Sequence, residues 1–271
     1  MVRCAALLLC LAWLAGCAAD PRRLAEDLAS QARLERSEVR AGDFTLVAYS
    51  RIEDPGAAVD IYFEGDGRAW LSRGRLSADP TPRNAVGLQL AAADPSPNVV
   101  YLARPCQFTD LGRDPCASDY WSGKRYAEEV VAAMAQALDR FARRLERPRL
   151  HLVGYSGGGA IAALVAARRD DVASLRTVAG NLGVETVNRL HGVDAMPQSL
   201  DPIDVAQKLE RLPQVHFAGS RDRVVPPAVA RAFAARAGAR CSRVVVLEGA
   251  THDEPWAARW KELLAVTPAC G

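Results

Sequence analysis

The stretch LHLVGYSGGGA, from Leu150 to Ala160, joins an apolar run to a serine that lies between glycines. The run LHLV is typical of a buried strand, and the segment GGAIAALVAA from Gly158 onward is typical of a buried helix. Gly154, Ser156 and Gly158 match the pattern GxSxG, in which a strand turns so sharply into a helix that the serine is strained and exposed. Glycine on each side removes a Cβ that would clash in such a bend. The stretch therefore predicts a strand, a tight turn and a helix, with Ser156 at the turn.

Strand-like and helix-like segments alternate on both sides of this stretch. The segments FTLVAYSRI, VDIYFEG and NVVYLARP precede it, and LRTVAG, QVHFAG and RVVVLEG follow it. A long helical pattern runs from about Lys124 to Arg144, and helical stretches follow most of the strands. This alternation favours an α/β fold with a mainly parallel sheet and helices on both faces. With 271 residues, about half of them hydrophobic, we expect one domain over residues 41–271, preceded by a linker and a short helix over 17–40.

Two later segments supply partners for Ser156. A serine hydroxyl becomes a good nucleophile only when a base takes its proton, and that base is oriented by an acid. Asp222 follows the strand QVHFAG, and His252 follows the strand RVVVLEG. Both would emerge at the carboxyl edge of the sheet, where Ser156 also lies. We expect Ser156 as nucleophile, His252 as base and Asp222 as acid, because Asp253 is too close to His252 along the chain to reach its far ring nitrogen.

The remaining histidines have simpler interpretations. His151 and His216 lie inside apparent strands, which favours positions in the core or on a sheet face. His191 lies in an irregular stretch, where a structural or surface role is favoured, although it could line a site there.

Acyl transfer also needs hydrogen-bond donors for the oxyanion. One expected donor is the backbone N–H of Gly157, at the start of the predicted helix, where free N–H groups favour negative charge. The second would come from the loop FEGDGRAW, over residues 63–70, which follows an early strand. Its glycines let the backbone approach a substrate, and the N–H of Asp66 is favoured over that of Gly65. An ordinary glycine turn is the alternative for this loop.

These segments together resemble the α/β-hydrolase superfamily. The resemblance is carried by GYSGG around Ser156, GSRDRVVP around Asp222, GATHDEPW around His252 and the FEGDG loop, and it spans roughly residue 41 to the C-terminus. It implies a serine hydrolase without a cofactor or a metal. The loop departs from the superfamily pattern, since many esterases and lipases have HGGG where this chain has EGDG, and this leaves the second oxyanion donor open.

The expected size and type of substrate follow from the lengths of the segments between strands and from the resemblance. About thirty residues separate the strand that ends near Gly180 from the strand that begins near Gln214, which allows at most a short cap. We expect hydrolysis of a small-molecule carboxylic ester or related acyl compound. A peptidase or a thioesterase would use the same residues. The non-enzymatic alternative is a lipid-anchored binding protein that has the same fold but catalyses no reaction.

The first residues have the pattern of an export signal. Arg3 precedes an apolar run from Ala5 to Ala15 that is too short to span a bilayer. The following LAGC, from Leu14 to Cys17, resembles the lipobox of bacterial lipoprotein signal peptides. We therefore expect residues 1–16 to be a signal peptide and Cys17 to carry lipid that anchors the protein to a membrane. Ala18 after the cysteine favours the outer membrane, facing the periplasm; an ordinary cleaved signal is the alternative.

Cysteine parity agrees with this interpretation. Without the signal five cysteines remain, and lipidation of one leaves four, which suits two disulfides in an oxidising compartment. The five are Cys17, Cys106, Cys116, Cys241 and Cys270. Four cysteines allow three pairings. We favour Cys106 with Cys116 and Cys241 with Cys270, with free thiols as the alternative.

The charge of the chain argues against nucleic acid as a partner. The formal net charge is +2, and no dense basic cluster occurs in the sequence. The expected partners are a small acyl substrate and, through the lipid anchor, a membrane. The oligomeric state is not predicted.

Overall fold

The computed structural model describes residues 20–147 and 149–271. The predicted signal peptide, the lipidation site Cys17 and the first residues of the expected linker lie outside the described residues. No helix within these two ranges combines the length and the apolar character that crossing a membrane requires.

Strands and helices alternate along the described part of the chain, as the sequence predicts. The strands are β1 (Glu35–Ala41), β2 (Phe44–Ile52), β3 (Val59–Phe63), β4 (Trp70–Ser72), β5 (Arg75–Leu76), β6 (Asn98–Leu102), β7 (Leu150–Tyr155), β8 (Val172–Val178), β9 (Gln214–Gly219) and β10 (Ser242–Leu247). The helices are α1 (Pro21–Gln31), α2 (Val86–Ala92), α3 (Glu128–Ala142), α4 (Gly157–Ala166), α5 (Val184–His191), α6 (Pro202–Val205), α7 (Pro227–Ala237) and α8 (Trp256–Leu264), with 3-10 turns at Ser118–Trp121 and Ala206–Leu209.

Eight of the strands form one sheet in the order β1-β2-β6-β3-β7-β8-β9-β10. Strand β2 runs antiparallel to both of its neighbours, β1 and β6. The other strands of the sheet, β6, β3, β7, β8, β9 and β10, are parallel to one another. Strands β4 and β5 pair separately as a hairpin. The mainly parallel sheet is confirmed, and its parallel strands place the loops after β3, β6, β7, β8, β9 and β10 at one edge.

The core consists of two layers, one on each face of the sheet. Alternate residues of a strand point to opposite faces. In β3, Ile61 and Phe63 therefore pack with the helices of one layer, α3, α4 and α7, while Tyr62 packs with α1, α2 and α8 in the other. The fully buried helix α4 lies against β7, and its apolar character on all sides reflects this position.

The short helix expected within residues 17–40 is α1, and the folded unit begins with it, upstream of residue 41. Helix α1 buries Ala25 and Ala29, and β1 pairs with β2 over its whole length, from Glu35 opposite Ser50 to Ala41 opposite Phe44. The segment ERSEVRA did not look like a strand because it is rich in charge. Charged side chains are tolerated there because β1 is an edge strand, and they discourage pairing with other chains.

Two disulfides close loops of different length. Cys106 pairs with Cys116, with 5.5 Å between their Cα atoms, and Cys241 pairs with Cys270, with 4.0 Å between theirs. The first closes the loop after β6. The second fastens the C-terminal end to the residue before β10. Both pairs are the ones expected from the sequence.

Candidate active site

Ser156 occupies the turn between β7 and α4 with an unusual backbone conformation. Its φ is +50° and its ψ is −119°, a region that costs a non-glycine residue on the order of 1–3 kcal/mol. Backbone hydrogen bonds hold it there: its N–H donates to Val178 at 2.9 Å, and its carbonyl accepts from Gly159 and Asn181, each at 2.9 Å. The surroundings therefore maintain the strained turn that the GxSxG pattern predicts.

The glycines beside Ser156 are required by close packing of backbones. A Cβ on Gly158 would overlap the carbonyl oxygens of Phe63 and Glu64 at the end of β3. A Cβ on Gly154 would overlap the carbonyl of Gly158. The turn therefore lies directly against the loop after β3, which is the loop expected to carry the second oxyanion donor.

The structure brings the three predicted catalytic side chains together. His252 Nε2 lies 2.9 Å from Ser156 Oγ, and His252 Nδ1 lies 2.9 Å from Asp222 Oδ2. A carboxylate can only accept, so Nδ1 donates to Asp222 and Nε2 accepts from the serine hydroxyl. The Asp222 side chain is fully buried and that of His252 is 12% exposed. The acid is thus shielded from water while the base stays within reach of a substrate.

Asp222 is oriented by backbone as well as by His252. Its Oδ1 accepts hydrogen bonds from the amides of Val224 and Val225, both at 2.8 Å. This leaves Oδ2 for the imidazole. The loop after β9 therefore sets the direction in which the carboxylate points.

The other histidines make different contacts. His216 is fully buried and bonds Thr177 Oγ1 through Nδ1, and burial lowers its pKa to about 3. His151, in β7, forms a hydrogen bond with Ser174 Oγ through Nδ1. His191, at the end of α5, bonds a backbone carbonyl and lies at the rim of the cleft that contains Ser156. In residues 20–147 and 149–271, no three His, Cys, Asp or Glu side chains are grouped as metal ligands.

Asp253 forms no hydrogen bond with the imidazole of His252 and accepts one from Tyr155 instead. Its Oδ1 accepts from the Tyr155 hydroxyl at 2.9 Å. Burial and the nearby Asp253 carboxylate both raise the pKa of Tyr155, so its hydroxyl stays protonated and donates. This contact ties the residue before the serine to the loop that carries His252.

The loop after β3 leaves the amide of Asp66 without an acceptor among the described residues. The N–H of Gly65 donates to Glu64 Oε1 at 2.9 Å. The N–H groups of Asp66 and Gly157 have no acceptor among the described residues. Asp66 and Gly157 are adjacent, since a Cβ on Gly157 would overlap the Asp66 carboxylate. The two amides expected to bind an oxyanion are therefore both available, and Gly65 is already engaged.

Glu64 is a residue of this site that the sequence did not single out. It is 1% exposed, and its carboxylate accepts from the amides of Gly87 and Leu88 in α2 and from the hydroxyl of Tyr101. Burial raises its pKa. Because Glu64 also accepts from Gly65, it anchors the start of the oxyanion loop to helix α2.

Two arginines surround Asp66. Asp66 Oδ1 lies 3.2 Å from Arg104 Nη1, Oδ2 lies 3.5 Å from Arg125 Nε, and the Tyr126 hydroxyl donates at 2.9 Å. Burial and Asp66 together raise the pKa of Tyr126, which keeps it neutral. The carboxylate next to the oxyanion position is therefore more than compensated by positive charge. Neither arginine carried a sequence signal, because each comes from a different loop and only packing brings them together.

Two clefts meet at Ser156. The Arg125 cleft, about 490 Å³, lies between Arg125, Asn181 and two residues of α5, Val187 and His191. The Asp253 cleft, about 450 Å³, extends on the other side along the loop after β3 to His252 and Asp253. Trp70 and Val224, both partly exposed, border the two clefts. A substrate whose reacting carbonyl lies at Ser156 thus has space for one group on each side.

Comparisons with known proteins agree with this fold. No protein-family model matches the chain, and no curated protein matches it. Solved structures do match. An α/β serine hydrolase homologue from Coxiella burnetii is 21% identical, with a TM-score of 0.57 over 84% of this chain and 93% of that one. An esterase from Pyrococcus furiosus is 12% identical, with a TM-score of 0.61 over 90% and 94%.

A further match is to part of a larger enzyme. The acylaminoacyl peptidase of Pyrococcus horikoshii is 14% identical, with a TM-score of 0.60 over 84% of this chain and 39% of that one. The sheet order, the turn at Ser156 and these similarities together show that the protein has the α/β-hydrolase fold, as one domain with a short cap formed by α5 and α6.

Proposed function

We propose that the protein is a serine hydrolase that cleaves a carboxylic ester or a related acyl compound through an acyl-enzyme on Ser156. The observation that carries the proposal is the chain of two 2.9 Å contacts from Ser156 through His252 to the buried Asp222. It is supported by the strained turn at Ser156 and by the free amides of Asp66 and Gly157.

The proposed reaction has two stages. Ser156 Oγ attacks the acyl carbon while His252 Nε2 takes the hydroxyl proton, and the resulting oxyanion is bound by the amides of Asp66 and Gly157. His252 then gives the proton to the leaving alcohol as the acyl–oxygen bond breaks. A water molecule, deprotonated by His252, attacks the acyl-enzyme, and the carboxylic acid leaves with Ser156 protonated again. Asp222 holds the imidazole tautomer throughout.

The same residues could serve a peptidase or a thioesterase. The solved structures with a similar fold include both an esterase and a peptidase, so experiment has to identify the leaving group. The two clefts beside Ser156, of about 450 and 490 Å³, have the size of pockets that bind small molecules.

Labelling with a fluorophosphonate probe tests the proposal. We expect the domain from residue 20 onward to be labelled covalently in the wild type and in Ser30→Ala, a surface serine of α1, but not in Ser156→Ala or His252→Ala. Labelling that survives Ser156→Ala would reject Ser156 as the nucleophile. No labelling of a folded wild-type sample would instead favour the lipid-anchored binding protein.

We also propose that the enzyme is anchored to the outer membrane through lipid on Cys17 and faces the periplasm. The support is the sequence pattern LAGC followed by Ala18. Fractionation of cells that express the full chain tests this position: Cys17→Ala should move the protein to the soluble fraction, and unchanged membrane association would reject the anchor.

A further inference from the structure

Arg125 has unused hydrogen-bonding capacity inside the cleft that contains Ser156. Its side chain is 13% exposed. Its Nε is buried without a hydrogen bond, 3.5 Å from Asp66 Oδ2. A guanidinium carries five N–H donors, and the terminal amino groups of Arg125 are not among its buried atoms and form no hydrogen bond with another described residue. Because Arg125 lines the cleft, these donors are available to a ligand there.

The position of Arg125 is fixed by its neighbours. Its carbonyl accepts from Arg104, and the next amide, that of Tyr126, donates to Ser199 Oγ at 3.1 Å. Its guanidinium lies over the Tyr126 ring, 5.5 Å from the ring centre. A side chain held in this way loses little freedom on binding a ligand, so each new hydrogen bond contributes more to affinity.

The charge around Arg125 is not cancelled within the cluster. Asp66 is shared between Arg125 and Arg104, and Tyr126 is neutral, so the cluster keeps an excess positive charge. Burial has the largest effect on Arg125 and opposes its charge, but Asp66 and the Tyr126 hydroxyl together outweigh it and raise the pKa of Arg125. The other acid that lines the cleft, Asp194, is exposed to water. The cleft therefore attracts an anion close to the reacting serine.

A second polar group, besides Arg125, lines the cleft. Asn181, which follows β8 and lines the same cleft, is 4% exposed, and its Oδ1 has no donor among the described residues. A pocket made for a plain alkyl chain would not place a buried amide oxygen without a donor and a guanidinium with free N–H groups along its length.

We propose that Arg125 binds a carboxylate of the substrate, so that the enzyme acts on acyl compounds that carry a negative charge on one side of the scissile bond. The proposal rests on the serine hydrolase function proposed above and names its substrate class. The planar fork of an arginine matches the two oxygens of a carboxylate. The charge can belong to the acyl group or to the leaving alcohol, and the two are distinguished by experiment.

Three esters with matched skeletons provide the test. Ethyl pentanoate is neutral, monoethyl glutarate carries a carboxylate at the far end of the acyl chain, and pentanoyloxyacetate carries one on the alcohol. Hydrolysis of each is followed by proton release at constant pH for the wild type, Arg125→Gln and Arg125→Lys. Arg236→Gln, an exposed arginine of α7, is the control. The measured quantity is the ratio of kcat/KM for each anionic ester to that for ethyl pentanoate, which does not depend on the fraction of folded protein.

We expect the wild type to prefer one of the two anionic esters, and Arg125→Gln to lower that ratio about tenfold to a hundredfold, as the loss of hydrogen bonds to a charged group implies. The ratio for Arg125→Lys should lie between those for the wild type and Arg125→Gln, and the ratio for Arg236→Gln should match that of the wild type. The ester that responds shows which side of the bond carries the charge. An anionic ratio that is the same in the wild type and Arg125→Gln would overturn the proposal while leaving the serine hydrolase intact.

A second readout covers esters that are bound but turned over slowly. Glutarate or glycolate should slow fluorophosphonate labelling of Ser156 in the wild type more than the neutral pentanamide does, and the difference should vanish in Arg125→Gln. Equal protection by all three compounds would count against Arg125. If no ester is cleaved and Ser156 is not labelled at all, the proposed function fails, and the substrate class fails with it.

Discussion

The carboxylate of Asp222 has a separate partner for each oxygen. Oδ1 is held by the amides of Val224 and Val225, and Oδ2 faces His252 Nδ1. Rotation of the carboxylate would break all three hydrogen bonds, and the fully buried side chain of Asp222 has no water to replace them. The geometry therefore presents only an acceptor to the imidazole, which is what keeps the proton on Nδ1 and leaves Nε2 free for the serine.

Replacement of this acceptor by an amide tests the role of Asp222. In Asp222→Asn the side chain can turn its NH₂ group toward Nδ1, which moves the imidazole proton to Nε2, where it can no longer accept from Ser156. We expect kcat on a chromogenic ester to fall by about 10⁴-fold, the effect of this change in serine proteases, with an unchanged circular dichroism spectrum.

The neighbouring acid provides the matched control. Asp253→Asn removes a carboxylate of the same size one residue from His252, but it changes only the contact with Tyr155. Its kcat should stay within about tenfold of the wild type. If Asp222→Asn lost no more activity than Asp253→Asn, Asp222 would have no catalytic role.

At this scale the sequence predicts residues that directly follow strands and misses those placed by packing. Ser156, Asp222 and His252 come together as expected, because parallel strands direct their carboxyl ends to one edge. Arg125 and Glu64 could not be assigned in the same way. Arg125 lies in a loop that the helical pattern from Lys124 had absorbed, and the carboxylate of Glu64 finds its partners on a helix more than twenty residues away.

Among the elements, the loop closed by Cys106 and Cys116 supports the oxyanion loop. Gln107, next to the disulfide, donates from Nε2 to the carbonyl of Gly65 at 3.0 Å and accepts from the amide of Arg104 at 3.1 Å. The disulfide thus constrains a segment that holds the backbone beside Asp66.

Removal of this disulfide should affect both stability and activity. For a bridge between residues ten apart, we expect Cys106→Ala with Cys116→Ala to lower the free energy of unfolding by about 2–3 kcal/mol. We also expect a lower kcat, because the oxyanion loop loses its support. Denaturant unfolding and ester hydrolysis without reductant measure the two effects.

The other bridge separates these effects. Cys241→Ala with Cys270→Ala opens a loop of 29 residues at the amino end of β10, so stability should fall at least as much while kcat of the folded enzyme stays unchanged. Equal losses of kcat in both double variants would mean that the Cys106 loop has no specific effect on the site.

Boundaries of elements were the least predictable feature at this scale. Helix α3 was expected from about Lys124 to Arg144 but extends only from Glu128 to Ala142. Ala127 has an extended backbone conformation and caps the helix, so the helical residues begin after it. Strand β1 was missed because half of its side chains face water, so its apolar pattern is too sparse to detect.

Over the whole molecule, the buried acid Asp60 links stability to pH. Burial, and then the Asp94 carboxylate, raise the pKa of Asp60 from 3.8 to about 7. Arg176 and His151 face the same region, and His151 lies opposite Asp60 on the neighbouring strand. Between pH 4 and 7 the folded protein therefore holds a proton that the unfolded chain has released. The contribution of Asp60 to stability decreases as the pH rises through this range.

Asp60→Asn should remove that decrease. We expect the variant to gain about 1–2 kcal/mol of unfolding free energy over the wild type between pH 4.5 and pH 8, after allowance for the partial exposure of Asp60. His216, with its pKa lowered to about 3, acts in the opposite direction but equally in both proteins. Urea unfolding at the two pH values measures the difference, and a gap independent of pH would show that Asp60 is ionised in the folded state.

The disulfide between Cys241 and Cys270 also determines in which orientation the protein can be immobilised on a solid support. Cys241 lies before the first residue of β10, whereas His252 follows its last, so the C-terminal end leaves the sheet at the edge away from the clefts. The six residues of β10 separate the two edges by about 20 Å. A tag placed after Gly271 would therefore attach the molecule to a bead or sensor chip with both clefts directed toward the solution.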